Sequence, residues 1–503
     1  MAAGNANVAQ TTTPPNFPEL MGHPRPLWML FMTEFWERFS FYGMRWALTL
    51  YIVAQFYSGS GTGEAPANRI YGAYLALVYA SGLLGGYAAD RLIGYQRSIL
   101  LGAVIMGSGL FVMMIPSMDV FELGLALVIV GNGLFKPNIS TMVGQLYAQN
   151  DMRRDAGFTI FYMGINAGSF ISPLLTGWLA SVITDTPLQQ NYKVVFACAG
   201  IGMILSFLWF WFGRRQLHGI GRPPAESSGS RNLGIVLLGA VILVPIVYVL
   251  LAKLGADVLA WVLGFLFVGL AVMLLIEGIR EGAVPRDKVI AMLIIFVFNI
   301  MFWMFYEQAG SSFNFLAEKI VDRMFGSWEF PVAWFQSVNP IGVIGLAPLV
   351  AWAWVAMGRR NREPSIPRKF GLGLIGNGIA FLLLMYALTY LVDAQSKIPF
   401  WTLFMVYIIQ ALGELCLSPI GLSMVTKLAP PRLVGFAMGG WFLSIATGNN
   451  LSGIFASAVS GETGMTTASA LSGYTFGFWA LVGSGVALFL LAPLINKLMH
   501  GVK

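Results

Sequence analysis

Fourteen apolar runs, each about 20 residues or more, leave this chain little choice but to fold as a bundle of membrane-crossing helices. They begin near Leu27, Arg69, Arg97, Phe121, Gly157, Val194, Asn232, Val258, Val289, Pro331, Phe370, Pro399, Pro431 and Leu471. At 1.5 Å per residue each can cross about 30 Å of hydrocarbon. The 503 residues are 57% hydrophobic and 11% charged, against about 25% charged in soluble domains. The expected class is an all-α polytopic membrane protein. The start is polar and Thr/Pro-rich, so no cleavable signal peptide is expected. Cys198 and Cys416 lie in apolar runs and read as helix-packing residues rather than a disulfide or metal pair.

The net charge of +7 could suggest a nucleic-acid partner, but its distribution argues against one. With both termini placed in the cytoplasm, only Arg69, Lys193, Lys253, Lys319, Arg323 and Lys397 fall in outside loops. The spans hold Arg38, Arg45 and Lys136, and the remaining 21 of the 30 Lys and Arg residues fall inside. This asymmetry is the positive-inside signature, so the basic excess reports topology.

A Pro-, Gly- and Ser-rich stretch, 214–231, reads as a flexible tether after the sixth span. A second short linker, 278–288, precedes the ninth. The chain thus divides into a cytoplasmic tail (1–26), a six-helix bundle (27–213), a central two-helix hairpin (232–277) and a second six-helix bundle (289–498). Six plus six is a recurrent transporter plan, with substrate held between the halves. The hairpin, lacking intramembrane charge, is expected to be peripheral.

Seven ionisable residues interrupt the apolar runs: Glu34, Glu37, Arg38, Arg45, Lys136, Glu307 and Glu414. Each costs roughly 2.5–3.5 kcal/mol at mid-membrane, so seven unpaired would cost on the order of 20 kcal/mol. They must pair or face a cavity. On a helix, Glu37, Arg38, Phe41, Tyr42 and Arg45 all fall within about 80° of Glu34. Glu34 and Arg38 have the carboxylate-first i,i+4 spacing that favours pairing. Two acids beside one base leave a negative charge unless one acid holds a proton, which points to a titrating cluster rather than a static staple.

Lys136 precedes Pro137, where a kink is expected to free a carbonyl toward a cavity. Trp303 and Glu307 are spaced i,i+4, and Gln410, Glu414 and Ser418 form an i,i+4,i+8 stripe. Asn166 and Asn339 add neutral hydrogen-bonding groups, as interhelical glue or as ligands. On the residues alone, Tyr74, Tyr79, Tyr162 and Trp441 read as packing or lipid-facing aromatics. Cations lie in the first half and Glu307 and Glu414 in the second, a polarity that suits a zwitterion. His23, His218 and His500 all lie outside the spans, so any proton coupling must use carboxylates. No serine–histidine arrangement, metal-ligand cluster or phosphate-binding loop supports an enzyme.

GGYAADRLIG (85–94), between the second and third spans, resembles the loop signature of the major facilitator superfamily. EFWERFSFYGMR, GNGLFKPNIS, FYMGINAGSFISP, FWMFYEQ, FQSVNP and GELCLSPIGLSM together resemble the proton-dependent oligopeptide transporters. The resemblance implies a major facilitator fold, two six-helix bundles plus two extra central helices, and proton-driven symport of di- and tripeptides without a cofactor. It implies that Glu34, Glu37 and Arg38 couple proton movement to substrate, and that Arg38, Lys136 and Arg45 attract the peptide carboxylate. Glu414 would receive the amino terminus, and Glu307 would share in protonation and in a salt-bridge gate with Arg45. Tyr42, Tyr74, Asn166, Trp303, Asn339, Ser418 and Trp441 match pocket-lining positions. Phe41 departs from the family, which usually has tyrosine there. Some relatives carry nitrate or other small solutes, leaving such a substrate, or an amino-acid-like or peptide-mimetic compound, as the alternative. The short Asp393–Ile398 loop lacks the large insertion of animal relatives, so a bacterial inner membrane is expected.

Overall fold

The computed structural model describes residues 14–148, 151–184, 190–223 and 230–502. The centre of the expected tether (224–229), the first half of the N-terminal tail (1–13) and Lys503 lie outside the described residues. The first bundle comprises α1 (Arg25–Phe56), α2 (Glu64–Ala88), α3 (Gly94–Val112), α4 (Met118–Gln145), α5 (Arg154–Val182) and α6 (Tyr192–Gly213). The hairpin is α7 (Ser230–Tyr248) and α8 (Gly255–Glu281). The second bundle holds α9 (Ala283–Tyr306), α10 (Ser312–Lys319), α11 (Val338–Arg359), α12 (Ile366–Tyr390), α13 (Phe400–Leu415), α14 (Ser418–Leu428), α15 (Val434–Ser460) and α16 (Thr467–Leu498).

Among the described residues, ten helical segments are long and apolar enough to cross a membrane. Two of them, Gly61–Val112 and Ser230–Glu281, each contain two helices. The polar α1 and α15 stand outside the ten, and with them the architecture is consistent with fourteen spans.

Two spans that read as continuous are broken. The ninth stops at Tyr306 and restarts at Ser312, with Glu307 in the gap. There the Gly310 carbonyl accepts from Thr49 Oγ1 of α1 (3.0 Å) and from Asn314 Nδ2 (3.2 Å), so side chains replace lost helical bonds. The twelfth stops at Leu415 and restarts at Ser418, with a proline, Pro419, in the first turn of α14. A proline has no N–H and its ring crowds the preceding turn, which favours a helix start at this position.

Glycines set the closest helix crossings. At Gly72 of α2, an added Cβ would sit 2.6 Å from the Gly453 Cα of α15, so the two bundles touch backbone to backbone there. The hairpin is peripheral: α7 packs on α4, and α8 on α9 and α15. Leu238, Val241, Trp261 and Phe265 on its outer faces are exposed, as lipid contact requires.

Candidate functional site

α1 is a single helix of 32 residues, so its charged positions stay on one face as the spacing predicts. Glu34 and Glu37 are fully buried and Arg38 and Arg45 nearly so. The expected Glu34–Arg38 ion pair forms, but the tighter contacts lie elsewhere. Arg38 grips Glu37 with two parallel bonds, Nε to Oε2 and Nη2 to Oε1, both 2.5 Å. Glu34 Oε1 lies 3.6 Å from Arg38 Nε and takes its direct bond from Lys136 of α4. Asn132, one turn before Lys136, donates to Glu37 Oε1 at 3.1 Å.

Charge counting on α1 alone is thereby corrected. Two acids meet two cations, Arg38 and Lys136, and the quartet is neutral with every member ionised. The second cation arrives from a different helix, which local spacing cannot reveal. One atom is left over: Glu34 Oε2 is buried without a hydrogen-bond partner among the described residues. An orphaned carboxylate oxygen in such a site can take up a proton without breaking the Lys136 contact on the other oxygen.

Farther along α1, Arg45 donates through Nη2 to Glu307 of the second bundle and through Nε to Tyr71 Oη (2.5 Å). The helix break between α9 and α10 presents Glu307 to this partner. Arg38 lies 4.6 Å from the Phe41 ring centroid, and Arg45 lies 5.5 Å from that of Tyr42. The Phe41 ring therefore keeps its cation–π contact without a hydroxyl. It stacks on Tyr74 at 6.4 Å, and the Tyr74 hydroxyl is buried without a partner.

On the second bundle, Glu414 stands in the last turn of α13 and accepts from Tyr306 Oη. Asn339 Nδ2 donates to the same hydroxyl at 2.8 Å. Trp303 Nε1 donates to Asn299 Oδ1 (3.1 Å), and Asn299 holds Ser444 Oγ at 2.8 Å. The expected stripe does not survive. Gln410 turns to Asn377 at 2.8 Å, while Ser418 lies across the break with a buried, unpartnered hydroxyl. The Pro137 expectation also changes. α4 continues through the proline, and the carbonyl one turn earlier, at Gly133, lies against Gly85 of α2 rather than a cavity.

Between the bundles lies a cavity of ≈760 Å³. Arg38, Phe41, Tyr42, Arg45, Tyr79 and Lys136 line one side, Glu307 and the α15 residues Met438, Gly439 and Phe442 the other. It reaches Asp90 and Thr141 at the end of the molecule that carries the linkers. Lys136 keeps 30% of its side chain exposed, so its ammonium remains within reach of a solute.

At the opposite end the bundles are joined. Asn314 Nδ2 donates to the Trp46 carbonyl (2.8 Å), and Asn68 Nδ2 to the Ala456 carbonyl (3.1 Å). Ser337 Oγ donates to the Phe170 carbonyl at 2.7 Å. Glu64, fully buried, pairs with Lys319 and accepts from the Met465 amide at 2.8 Å.

The structure brings together Glu34, Glu37, Arg38, Tyr42, Arg45, Lys136 and Glu307, and sets Asn339 and Glu414 in a second cluster. Other residues matched to pocket positions lie outside the cavity lining. Trp441 packs on Phe296 and Phe370 (5.9 and 6.1 Å), Tyr74 is buried under Phe41, and Asn166 bonds the Tyr162 carbonyl at 2.9 Å. Tyr71, Asn132, Tyr306 and the Glu64–Lys319 pair were not anticipated. Asn132 had a visible signal, its i,i+4 spacing to Lys136, and Tyr306 directly precedes Glu307.

A family model described as the POT family matches residues 96–471. An uncharacterized transporter of Bacillus subtilis is 34% identical over 490 residues, covering 96% of each chain. The dipeptide and tripeptide permease B of Yersinia enterocolitica is 34% identical over 496 residues, covering 96% of this chain and 97% of its own. A crystal structure of a peptide transporter, POT, in complex with sulfate superposes with a TM-score of 0.83 at 34% identity. It covers 97% of this chain and 98% of that one.

Proposed function

The chain belongs to the POT family, and from that premise we propose that it is a proton-coupled symporter importing di- and tripeptides by alternating access. The observation that carries this reading is the polarity of the inter-bundle space. Arg38, Arg45 and Lys136 line it from the first bundle and Glu307 from the second, with Glu414 on α13 behind the lining, bonded to Tyr306. A peptide zwitterion spans such a gap, its carboxylate toward Arg38 and Lys136 and its ammonium toward Glu414. Tyr42, Asn166, Trp303, Asn339, Ser418 and Trp441 are assigned to the pocket in a bound, closed state, in which α13 and α15 move inward. Tyr74 supports the pocket through Phe41.

The proton steps are assigned to carboxylates. The free Glu34 Oε2 supports a proton-accepting role there, and Glu37 supports a linked one. When Glu37 is ionised it occupies the Nε and Nη2 edge of Arg38, which lowers the pull of that guanidinium on a substrate carboxylate. When the acid is protonated, Arg38 is released to the peptide. Glu307 protonation breaks the Arg45 pair and lets the far end open. The described state, joined at that end and open toward the linkers, corresponds to cargo release. Both termini are assigned to the cytoplasm of a bacterial inner membrane on the Lys/Arg asymmetry.

Proteoliposomes test this directly: uptake of labelled dialanine should rise with an inward proton gradient and be competed by other di- and tripeptides. Uptake indifferent to the gradient, or to Glu37→Gln, sinks the coupling. Competition by nitrate or a lone amino-acid-like zwitterion but not by peptides sinks the substrate assignment.

A further inference from the structure

The face of α1 turned away from the charge quartet borders a second cavity. Arg25, Met29, Met32 and Trp36 all fall within about 40° of the side opposite Glu34. Together with α6 they enclose a groove of ≈700 Å³ at the linker end. Its walls change character along their length. Toward mid-membrane they are apolar, with Met32 and Trp36 facing Leu205 and Leu208. Toward the linkers they become amphipathic, with Arg25, Trp28 and Gln216.

The lining itself includes one cation, Arg25, and two more arginines neighbour its Gln216 edge. Arg25 is exposed, and Arg214 and Arg215 lie on the turn that also carries Gln216. None of the three arginines forms an ion pair among the described residues, although Arg214 lies 3.6 Å from the centroid of the Trp211 ring. Indoles at such a depth sit at the headgroup level, and arginine forks match phosphate oxygens. A free anion would have no use for the Met32–Leu208 wall. A purely apolar occupant would leave the arginines unanswered. A phospholipid supplies both chemistries.

We propose that this groove binds one anionic phospholipid of the linker-side leaflet. Arg25 and the Arg214–Arg215 turn face its phosphate, and an acyl chain runs along Met32, Trp36 and Leu208. The lipid then packs on the back of the helix whose front holds Glu34, Glu37 and Arg38. The site is independent of which solute the central cavity carries.

The test uses the full chain in phosphatidylcholine nanodiscs with a minor share of photoactivatable phosphatidylglycerol or, in parallel, the matching phosphatidylcholine. Crosslinks are mapped by peptide mass spectrometry. Phosphatidylglycerol should label the peptides of α1 and α6 around this groove about tenfold more than phosphatidylcholine does. The preference should collapse in the double variant Arg25→Gln/Arg214→Gln. Leu208→Trp, which fills the groove, should reduce labelling by both lipids, whereas Val268→Trp on the exposed face of α8 should change neither. The arginine changes are at the rim, so they remain informative if Leu208→Trp fails to fold. Equal labelling by the two lipids, label concentrated on α8, or indifference to the double variant overturns the proposal. Loss of label to inorganic phosphate alone overturns it in favour of a soluble-anion site.

Discussion

The two bundles meet the cost of buried charge differently. On the first bundle, Glu34, Glu37, Arg38 and Lys136 neutralise one another within the bundle. On the second, among the described residues, Glu307 finds its cation across the gap, at Arg45, while Glu414 bonds a phenol and forms no ion pair. Removing one member of a buried ion pair costs about 3–5 kcal/mol, because the other charge is left behind. The first set is therefore self-contained in charge, its partners all lying on α1 and α4. The second set depends on the bundles' relative position or on a cationic ligand. That difference is what a cycle needs, one self-contained switch and one set whose partners change.

The largest expected effect strikes the self-contained side. Glu37→Gln should lower gradient-driven dialanine uptake about 100-fold or more, since Arg38 loses its bidentate acceptor. Peptide exchange at equal pH on both sides should persist, as measured in the same proteoliposomes. Equal loss of both activities would break the distinction between coupling and binding.

Glu414→Gln probes the acid that forms no ion pair among the described residues. The amide oxygen can still accept from Tyr306, so folding should hold while competition by dialanine weakens about tenfold. N-acetylated dialanine, which has no ammonium, should compete equally well against both proteins. A parallel drop for the acetylated peptide would mean that Glu414 supports the pocket rather than reading the amino terminus.

Glu64→Gln tests the joined end. Lys319 loses its ion partner, while the Met465 amide retains an acceptor. The population open at that end should rise about three- to fivefold, roughly 1 kcal/mol. Thiol labelling of a Thr49→Cys reporter, in a background with Cys198 and Cys416 replaced by serine, measures it. Unchanged labelling would assign this pair to packing alone.

Phe41→Tyr should have the smallest effect, within about 1 kcal/mol of the parent in dialanine affinity. The ring already stacks on Tyr74 and faces Arg38, and the added hydroxyl changes only hydrogen bonding. Its influence should appear in the ranking of bulky side chains among competing dipeptides. A tenfold loss for dialanine itself would show that Phe41 holds Arg38 in place.

Much of this was legible from the chain. Charges in apolar runs carry an energetic penalty that any fold must answer, so α1, Lys136, Glu307 and Glu414 stood out by position alone. The shared face of Glu34, Glu37 and Arg45 followed from helical geometry, and α1 keeps it. Reading failed where a helix stops being regular. The stripe through Gln410, Glu414 and Ser418 assumed one continuous helix, but Leu415 ends it. Tyr71 and Tyr306 were missed because a tyrosine in an apolar helix looks like packing until its hydroxyl has a named partner.

Composition and run length were enough to indicate a bundle of membrane-crossing helices, and position along the chain to separate the buried charges into an earlier and a later group. These are one-dimensional quantities, set by the cost of moving each residue from water to hydrocarbon. Which charge meets which was decided only in three dimensions. Lys136, far from Glu34 in sequence, takes the bond that i,i+4 spacing assigned to Arg38, and that choice makes the quartet neutral. Contacts between helices depend on rotation, crossing and breaks, and no local spacing encodes them.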